Sequence, residues 1–389
     1  MSSLAERARE LDAADPLASC RKLFDLDDSV VYLDGNSLGA PPLSVAERMQ
    51  DVVRNQWGRR LIRSWGEGWW TAPERVGDRI APLVGAAPGQ IVVGDSTSAN
   101  LFKALVAALR MSKGRNEIVV DSATFPTDGY IASSVARLTG ATVRAAPLDS
   151  LELNANTAVV LANQVDYRTG RAYDVAAVTA SVHAAGALVL WDLCHSVGAL
   201  PVDLDAHGVD FAVGCTYKFL NGGPGAPAFL YVPTRLQASF DQPLAGWNGH
   251  RVPFAMTPDF EPSPEIARGR CGTPDILSLL ALDAALDVWD GVTIADVRAK
   301  NLALTGFFIE CVDSLVGSRV SVVTPRDSSR GSQVSLACED ASPVMEALIA
   351  RDVIGDFRPP NVLRFGFAAL YGRYTDALRA ATTLADVLA

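Results

Sequence analysis

"ALVLWDLCHSVGALPVD", residues 187 to 203, opens as an unbroken apolar run and closes that run on an acid, Asp192. A strand with one face in water alternates apolar and polar residues, so a run without alternation needs apolar partners on both faces. Comparable runs recur along the chain: "QIVVG" (90–94), "NEIVVD" (116–121), "TAVVLAN" (157–163), "FAVGCTY" (211–217) and "PAFLYV" (227–232). Stretches of helical spacing lie between them. This alternation predicts an α/β fold, with helices covering both faces of a mostly parallel sheet. Ligands in such sheets bind beyond the carboxyl ends of the strands, so Asp192 stands at a candidate site. Its carboxylate needs a partner if buried. A pyridinium nitrogen would serve, and a helix N-cap is the plainer alternative.

Downstream, "TYKFLNGGPG" (216–225) carries Lys218. A phosphate-gripping loop would place glycines before the lysine and Ser or Thr after it; here the glycines follow and Phe219 comes next. Val213, Tyr217, Phe219 and Leu220 predict an apolar surround that favours a neutral, nucleophilic amine over an ordinary surface charge. Upstream, "GDSTSANLFKALVAALRM" (94–111) sets Ser96, Thr97 and Ser98 at the start of a helix whose apolar face runs through Leu101, Leu105 and Leu109. Free N–H groups there attract an anion, or serve as a simple cap. Phe125 in "DSATFPTDGY" follows another strand and either covers a ligand ring or packs in the core. His195 has the same two readings. Arg364 is the lone charge in "NVLRFGFA", suited to bidentate capture of a carboxylate or to an internal salt bridge.

With 389 residues, 49% of them hydrophobic, the chain can bury a substantial core. No apolar run approaches the roughly 20 residues that span a bilayer, and the charged first residues lack a secretion signal's apolar centre, so a cytoplasmic location with no membrane partner is expected. Six cysteines without a CxxC pair and four histidines without HExxH predict neither a disulfide framework nor a metal. A net charge of −10 argues against nucleic acid as a partner. Residues 1–45 are expected to form an arm packing on a small domain, 46–272 a large domain, and 273–389 a smaller α+β domain. That last part opens with a long helix in "PDILSLLALDAALDVW" (274–289), and "DSSRGSQ" (327–333) reads as a mobile loop.

The order of these signals, phosphate cap, aromatic, strand-end acid, then lysine before glycines, resembles the fold-type-I pyridoxal phosphate enzymes. "YLDGNSLG" (32–39), "DSTSANLF" (95–102), "FPTD" (125–128), "WDLCHSVGALPVDL" (191–204), "CTYKFLNGGPGAP" (215–227), "GWNGH" (246–250) and "VLRFGFAALY" (362–371) together resemble the kynureninases. The resemblance runs from about residue 30 to 375. It implies a large domain with a mostly parallel seven-stranded sheet plus a small α+β domain, and pyridoxal 5'-phosphate as cofactor. It also implies hydrolytic cleavage of the Cβ–Cγ bond of L-kynurenine to anthranilate and L-alanine, in tryptophan catabolism. Lys218 would bond to the cofactor aldehyde and serve as base, Asp192 would pair with the ring nitrogen, and Phe125 would stack on the ring. Thr97, Ser98, Asp128, His195, Tyr217, Trp247 and Thr273 match cofactor-lining positions, and Tyr217 is a candidate proton relay. Arg364 matches the arginine for the substrate α-carboxylate, and Trp65, Gly272 and Thr273 match positions near the aryl ring. Asn248 departs from the aromatic often found in its slot. A homodimer is implied, with Trp247 and Thr273 free to serve the neighbouring subunit's site. Another enzyme on this scaffold, an aminotransferase or a cysteine desulfurase using Cys271 or Cys338, is the alternative. A non-catalytic cofactor-binding protein is a further one.

Overall fold

The computed structural model describes residues 3–389. A two-residue strand, β1 (Val31–Tyr32), pairs in parallel with residues 353–354, tying the beginning of the chain to its far end. The central sheet follows: β2 (Ile91–Val93), β3 (Glu117–Asp121), β4 (Thr142–Ala146), β5 (Thr157–Asn163), β6 (Leu188–Asp192), β7 (Phe211–Gly214) and β8 (Phe229–Tyr231). Their spatial order is β2-β8-β7-β6-β5-β3-β4. Neighbours from β4 to β7 run parallel, whereas β8 is antiparallel to both β7 and β2. The seven-stranded, mostly parallel sheet expected from the apolar runs is present. Only β4, "TVRAA", lacked such a run, because it is an edge strand and partly exposed.

Alternate residues of each strand enter different cores. Val160 and Ala162 of β5 join Val76 and Ile80 on one face, while Val159 and Leu161 join Leu101 and Leu105 on the other. That is why these strands tolerate no polar alternation; burying a side chain such as Leu161 stabilises the fold by about 2 kcal/mol. Helix Thr97–Met111 starts where Ser96 accepts the Ala99 backbone N–H, and it turns Leu101, Leu105 and Ala108 onto the sheet.

The remaining strands, β9 (Ser321–Val322), β10 (Gln333–Ala337), β11 (Val353–Ile354), β12 (Asp356–Arg358) and β13 (Val362–Gly366), lie in the C-terminal part of the chain. Four of them form an antiparallel sheet in the order β12-β13-β10-β9; β11 is the partner of β1. A third core, with Phe308, Phe365 and Phe367 at its centre, packs on this sheet and takes in Ala8 from helix Leu4–Ala14. The expected helix over 274–289 is α-helical from Ile276 to Ala285 and tightens to 3-10 geometry over Leu286–Trp289. It packs with the first core, where Asp283 receives Arg75 at 2.8 Å, Arg79 at 3.0 Å and Arg48 at 3.1 Å.

The loop expected at 327–333 is exposed only through Ser329. Arg330 is buried, donating to Thr305 Oγ1 at 2.9 Å and to the Leu302 carbonyl at 2.8 Å, and Gly331 N–H bonds to the Gly170 carbonyl at 2.7 Å. Polar composition suggested a loop tip, but backbone acceptors from a distant segment anchor it.

Candidate active site

Strand register makes the first placements. Asn163 and Asp192 are cross-strand partners at the carboxyl ends of β5 and β6, and Asp192 is also opposite Val213 of β7. β7 ends at Gly214, so the chain reaches Lys218 within one short turn of that same sheet edge. The "YLDGNSLG" loop presses on this turn: Gly39 N–H donates to the Tyr217 carbonyl at 2.8 Å, and a Cβ at Gly39 would stand 2.1 Å from the Lys218 carbonyl oxygen. Only glycine permits that approach.

A cavity of about 250 Å³ lies at this edge. Lys218, Tyr217, His195, Asp192, Asp128 and Phe125 line it, with Thr97 and Ser98 from the helix start at one end. These eight sequence-named residues are therefore brought together. A larger cavity of about 490 Å³ shares Thr97, Ser98 and Tyr217 and has Gly272 and Thr273 in its wall. Trp65, Trp247 and Arg364 line neither. Trp65 and Trp247 instead both meet Trp70, at ring-centroid distances of 6.4 and 5.5 Å. Asn248 is buried and lines neither cavity, but accepts at 2.9 Å from Arg270 in the wall of the larger one.

Lys218 is not wrapped in hydrocarbon as its sequence neighbours suggested. Phe219 and Leu220 point into the first core and Val213 into the core on the other face. The amine is half-buried, 2.9 Å from His195 Nε2 and 5.8 Å from the centre of the Tyr217 ring. Side chains on a tight turn diverge, so adjacency in sequence did not become adjacency at Nζ. Burial, reinforced by the Lys218 charge, holds the His195 imidazole well below its ordinary range. A neutral imidazole offers a ring-nitrogen lone pair to the ammonium. The neighbouring Cys215 and burial push the Tyr217 phenol up, so it keeps its proton through neutral pH.

The acid end is a pair. Burial pushes Asp128 and Asp192 both above the usual carboxylate range, Asp128 the further because it also faces the charge of Asp192. Asp192 Oδ1 accepts the Cys194 N–H at 2.7 Å in a turn, and no helix begins there, so the N-cap alternative is not realised while the acid does line the cavity. Asp128 Oδ2 accepts from Asn163 Nδ2 at 2.9 Å and lies 3.1 Å from Thr124 Oγ1. Asn163 Oδ1 in turn accepts from Thr124 Oγ1 at 2.6 Å and from the Phe125 N–H at 3.3 Å. Tyr167 meets the Phe125 ring edge-on, with centroids 5.2 Å apart and planes at 89°. Asn163 and Tyr167 both line the cavity, and sequence reading missed them. The signal for Asn163 was available, since it is the polar last residue of an apolar strand, as Asp192 is.

Taken chemically, the cavity offers an amine for an aldehyde, a buried acid pair for a cationic ring nitrogen, and an aromatic face. Its hydroxyls at a helix N-terminus suit a phosphate. A flat pyridine aldehyde phosphate fits that donor set. Arg364 is buried and bidentate to Asp356, through Nε to Oδ1 at 2.7 Å and through Nη2 to Oδ2, so the internal salt bridge is present. Among the described residues no group of three or more His, Cys, Asp or Glu could hold a metal, and no helix is long and apolar enough to cross a membrane.

Residues 297–384 match the family model for the kynureninase C-terminal domain. The chain is 49% identical to a kynureninase of Burkholderia pseudomallei, covering 98% of this chain and 95% of that one. It is likewise 49% identical to a kynureninase of Deinococcus radiodurans, covering 97% and 95%. Among solved structures it is similar to the cysteine desulfurase CsdA of Escherichia coli, with a TM-score of 0.80, 21% identity and coverage of 96% of this chain and 98% of that one. It is also similar to a lysine-to-alanine mutant of C-DES with glycine covalently linked to its PLP cofactor, with a TM-score of 0.83, 16% identity and coverage of 94% and 99%. At those identities the two structures speak for the fold alone.

Proposed function

From the premise that this chain belongs to the kynureninase family, we propose that it binds pyridoxal 5'-phosphate at Lys218 and hydrolyses L-kynurenine to anthranilate and L-alanine. 3-Hydroxykynurenine would be a weaker substrate. The observation that carries the reading is one cavity in which Lys218, the Asp128–Asp192 pair, Phe125 and the hydroxyls of Thr97 and Ser98 converge. We further propose a cytoplasmic homodimer acting in tryptophan catabolism, with Trp247 and Thr273 serving the partner's cavity.

Bound pyridoxal phosphate would supply an electron sink for the pair released when a bond at the substrate Cα breaks. The chain's own residues do the rest. Thr97 and Ser98 would hold the phosphate at the helix N-terminus. The acid pair would stabilise a protonated ring nitrogen, since opposite charges attract strongly where water is largely excluded. Phe125, held by Asn163 and Tyr167, would offer its face to the ring. Lys218 Nζ takes the Cα proton as general base, and the neutral His195 imidazole accepts a hydrogen from it and so keeps Nζ aimed. Tyr217, protonated at neutral pH, is the donor for the later protonations.

Neither candidate thiol of the desulfurase alternative lines the lysine cavity. Cys338 is buried, with its sulfur 3.0 Å from the Glu339 carbonyl oxygen, and Cys271 lines the larger cavity near Lys103 and Asp95. The purified protein with pyridoxal phosphate, given L-kynurenine, 3-hydroxykynurenine and L-cysteine in parallel, tests the assignment. Fluorescent anthranilate from the first supports it; alanine from cysteine alone overturns it.

A further inference from the structure

β12 and β13 are antiparallel with Asp356 opposite Arg364, and Arg358, two residues along β12, shares the face of Asp356. The three side chains form one chain of contacts: Asp356 bridges Arg364 bidentately and Arg358 Nη2 at 3.0 Å, while also accepting from Ser37 Oγ at 2.7 Å. The donors of Arg364 can be followed one by one. Nε–H goes to Asp356, one Nη2–H to Asp356 and the other to Ser37 Oγ at 3.0 Å, and one Nη1–H to the Tyr167 carbonyl at 2.8 Å. Of five N–H groups, a single Nη1–H is left.

Arg358 is less committed. Beyond Asp356 it makes one bond, to the Phe357 carbonyl at 3.1 Å, and its side chain is 35% exposed. Arg358 and Arg364 face Asp356 and, close by, Asp34, which burial and the Asp356 charge push up to about 7, so that it is only partly ionised at neutral pH; the cluster keeps a net positive charge, which favours an anion. Tyr167 connects this unit to the lysine cavity: its carbonyl holds Arg364, and its ring lines the cavity beside Phe125.

Resting on the reading that Arg364 takes the substrate α-carboxylate, we propose that Asp356 and Arg358 complete that recognition site. Asp356 is the positioning residue that fixes the guanidinium plane of Arg364, and Arg358 is a second cation for the same carboxylate. Asp356 keeps the Nε edge of Arg364, so the substrate is met at the Nη1 edge. Arg358, its acceptor already shared, swings to the other carboxylate oxygen.

Steady-state kinetics of the holoenzyme with L-kynurenine test this, with inhibition by the α-carboxamide of kynurenine as the uncharged comparison. Asp356→Asn and Arg358→Gln should each raise KM roughly 10- to 100-fold, the effect of losing a hydrogen bond to a charged group, and change kcat less than about threefold. The inhibition constant of the carboxamide should stay within about threefold in both, and Arg358→Lys should recover part of the KM loss. A merely structural role would lower kcat and weaken the carboxamide equally, and that result overturns the proposal. So does an unchanged KM in Arg358→Gln, which also decides the matter if Asp356→Asn does not fold. Arg364→Gln separates the two levels. If it leaves KM unchanged, the reading of Arg364 fails; if it raises KM while both neighbours leave it alone, only the inference about Asp356 and Arg358 fails.

Discussion

Replacing Asn163 by Ala removes a hinge between three parts of the candidate site. Its amide nitrogen donates to the Asp128 carboxyl at 2.9 Å, and its carbonyl oxygen accepts the Thr124 hydroxyl at 2.6 Å and, at 3.3 Å, the Phe125 N–H. A hydrogen bond to a charged group contributes about 2 kcal/mol and a neutral one about 1 kcal/mol, so the loss should be about 3 kcal/mol, with the longer contact adding little. Urea unfolding of the cofactor-free protein reads this as a fall in midpoint at constant slope. Asn163→Asp separates this network from a simple cavity effect. It is nearly isosteric but sets a third carboxyl beside Asp128 and Asp192, so it should be costly at pH 8 and recover toward pH 5, where the added acid can share a proton. Retention of stability within about 0.5 kcal/mol in Asn163→Ala, or a loss in Asn163→Asp that ignores pH, would refute the argument.

Lys218→Ala should bind pyridoxal phosphate without the absorbance of the lysine-linked cofactor and lose turnover; wild-type turnover in that variant would remove Lys218 from its assigned role. Asp34 is pushed up to about 7 by burial and by the charge of Asp356. The folded state then holds a proton that the unfolded state releases near pH 4, so this group's contribution falls as pH rises from about 4 to 7. Asp34→Asn should flatten that part of the stability curve and gain up to about 4 kcal/mol above pH 7, and an unchanged pH–stability profile would contradict the assignment. Asp283→Ala strands Arg48, Arg75 and Arg79 around a buried site and should cost about 3–5 kcal/mol by urea titration; Asp283→Asn, which keeps hydrogen-bond acceptance, should lose less.

Two units were expected to meet at residue 272, but helix Ile276–Ala285 still packs in the first core. We propose that the junction runs through helix Ile294–Leu315, where Val297 belongs to the first core and Leu304 to the one built on the small sheet. Sequence pattern identified the helix but not the sheet it would cover, because an apolar stripe states only that something apolar must face it.

Strand runs, the capped helix at Ser96, the acid ending β6 and the lysine after β7 were legible in the chain because each is a local pattern: period, cap or strand end. Such patterns determined the layered fold and which edge of the sheet carries the chemistry. What surrounds each group was decided by tertiary contact. His195 rather than hydrocarbon meets Lys218, Asp128 faces Asp192 and accepts from Asn163, and Asp356 occupies Arg364, because strand register and loop crossings bring together residues between 8 and 64 positions apart. Hydrogen bonding and charge act over a few ångströms of space, and no spacing along the sequence encodes those few ångströms.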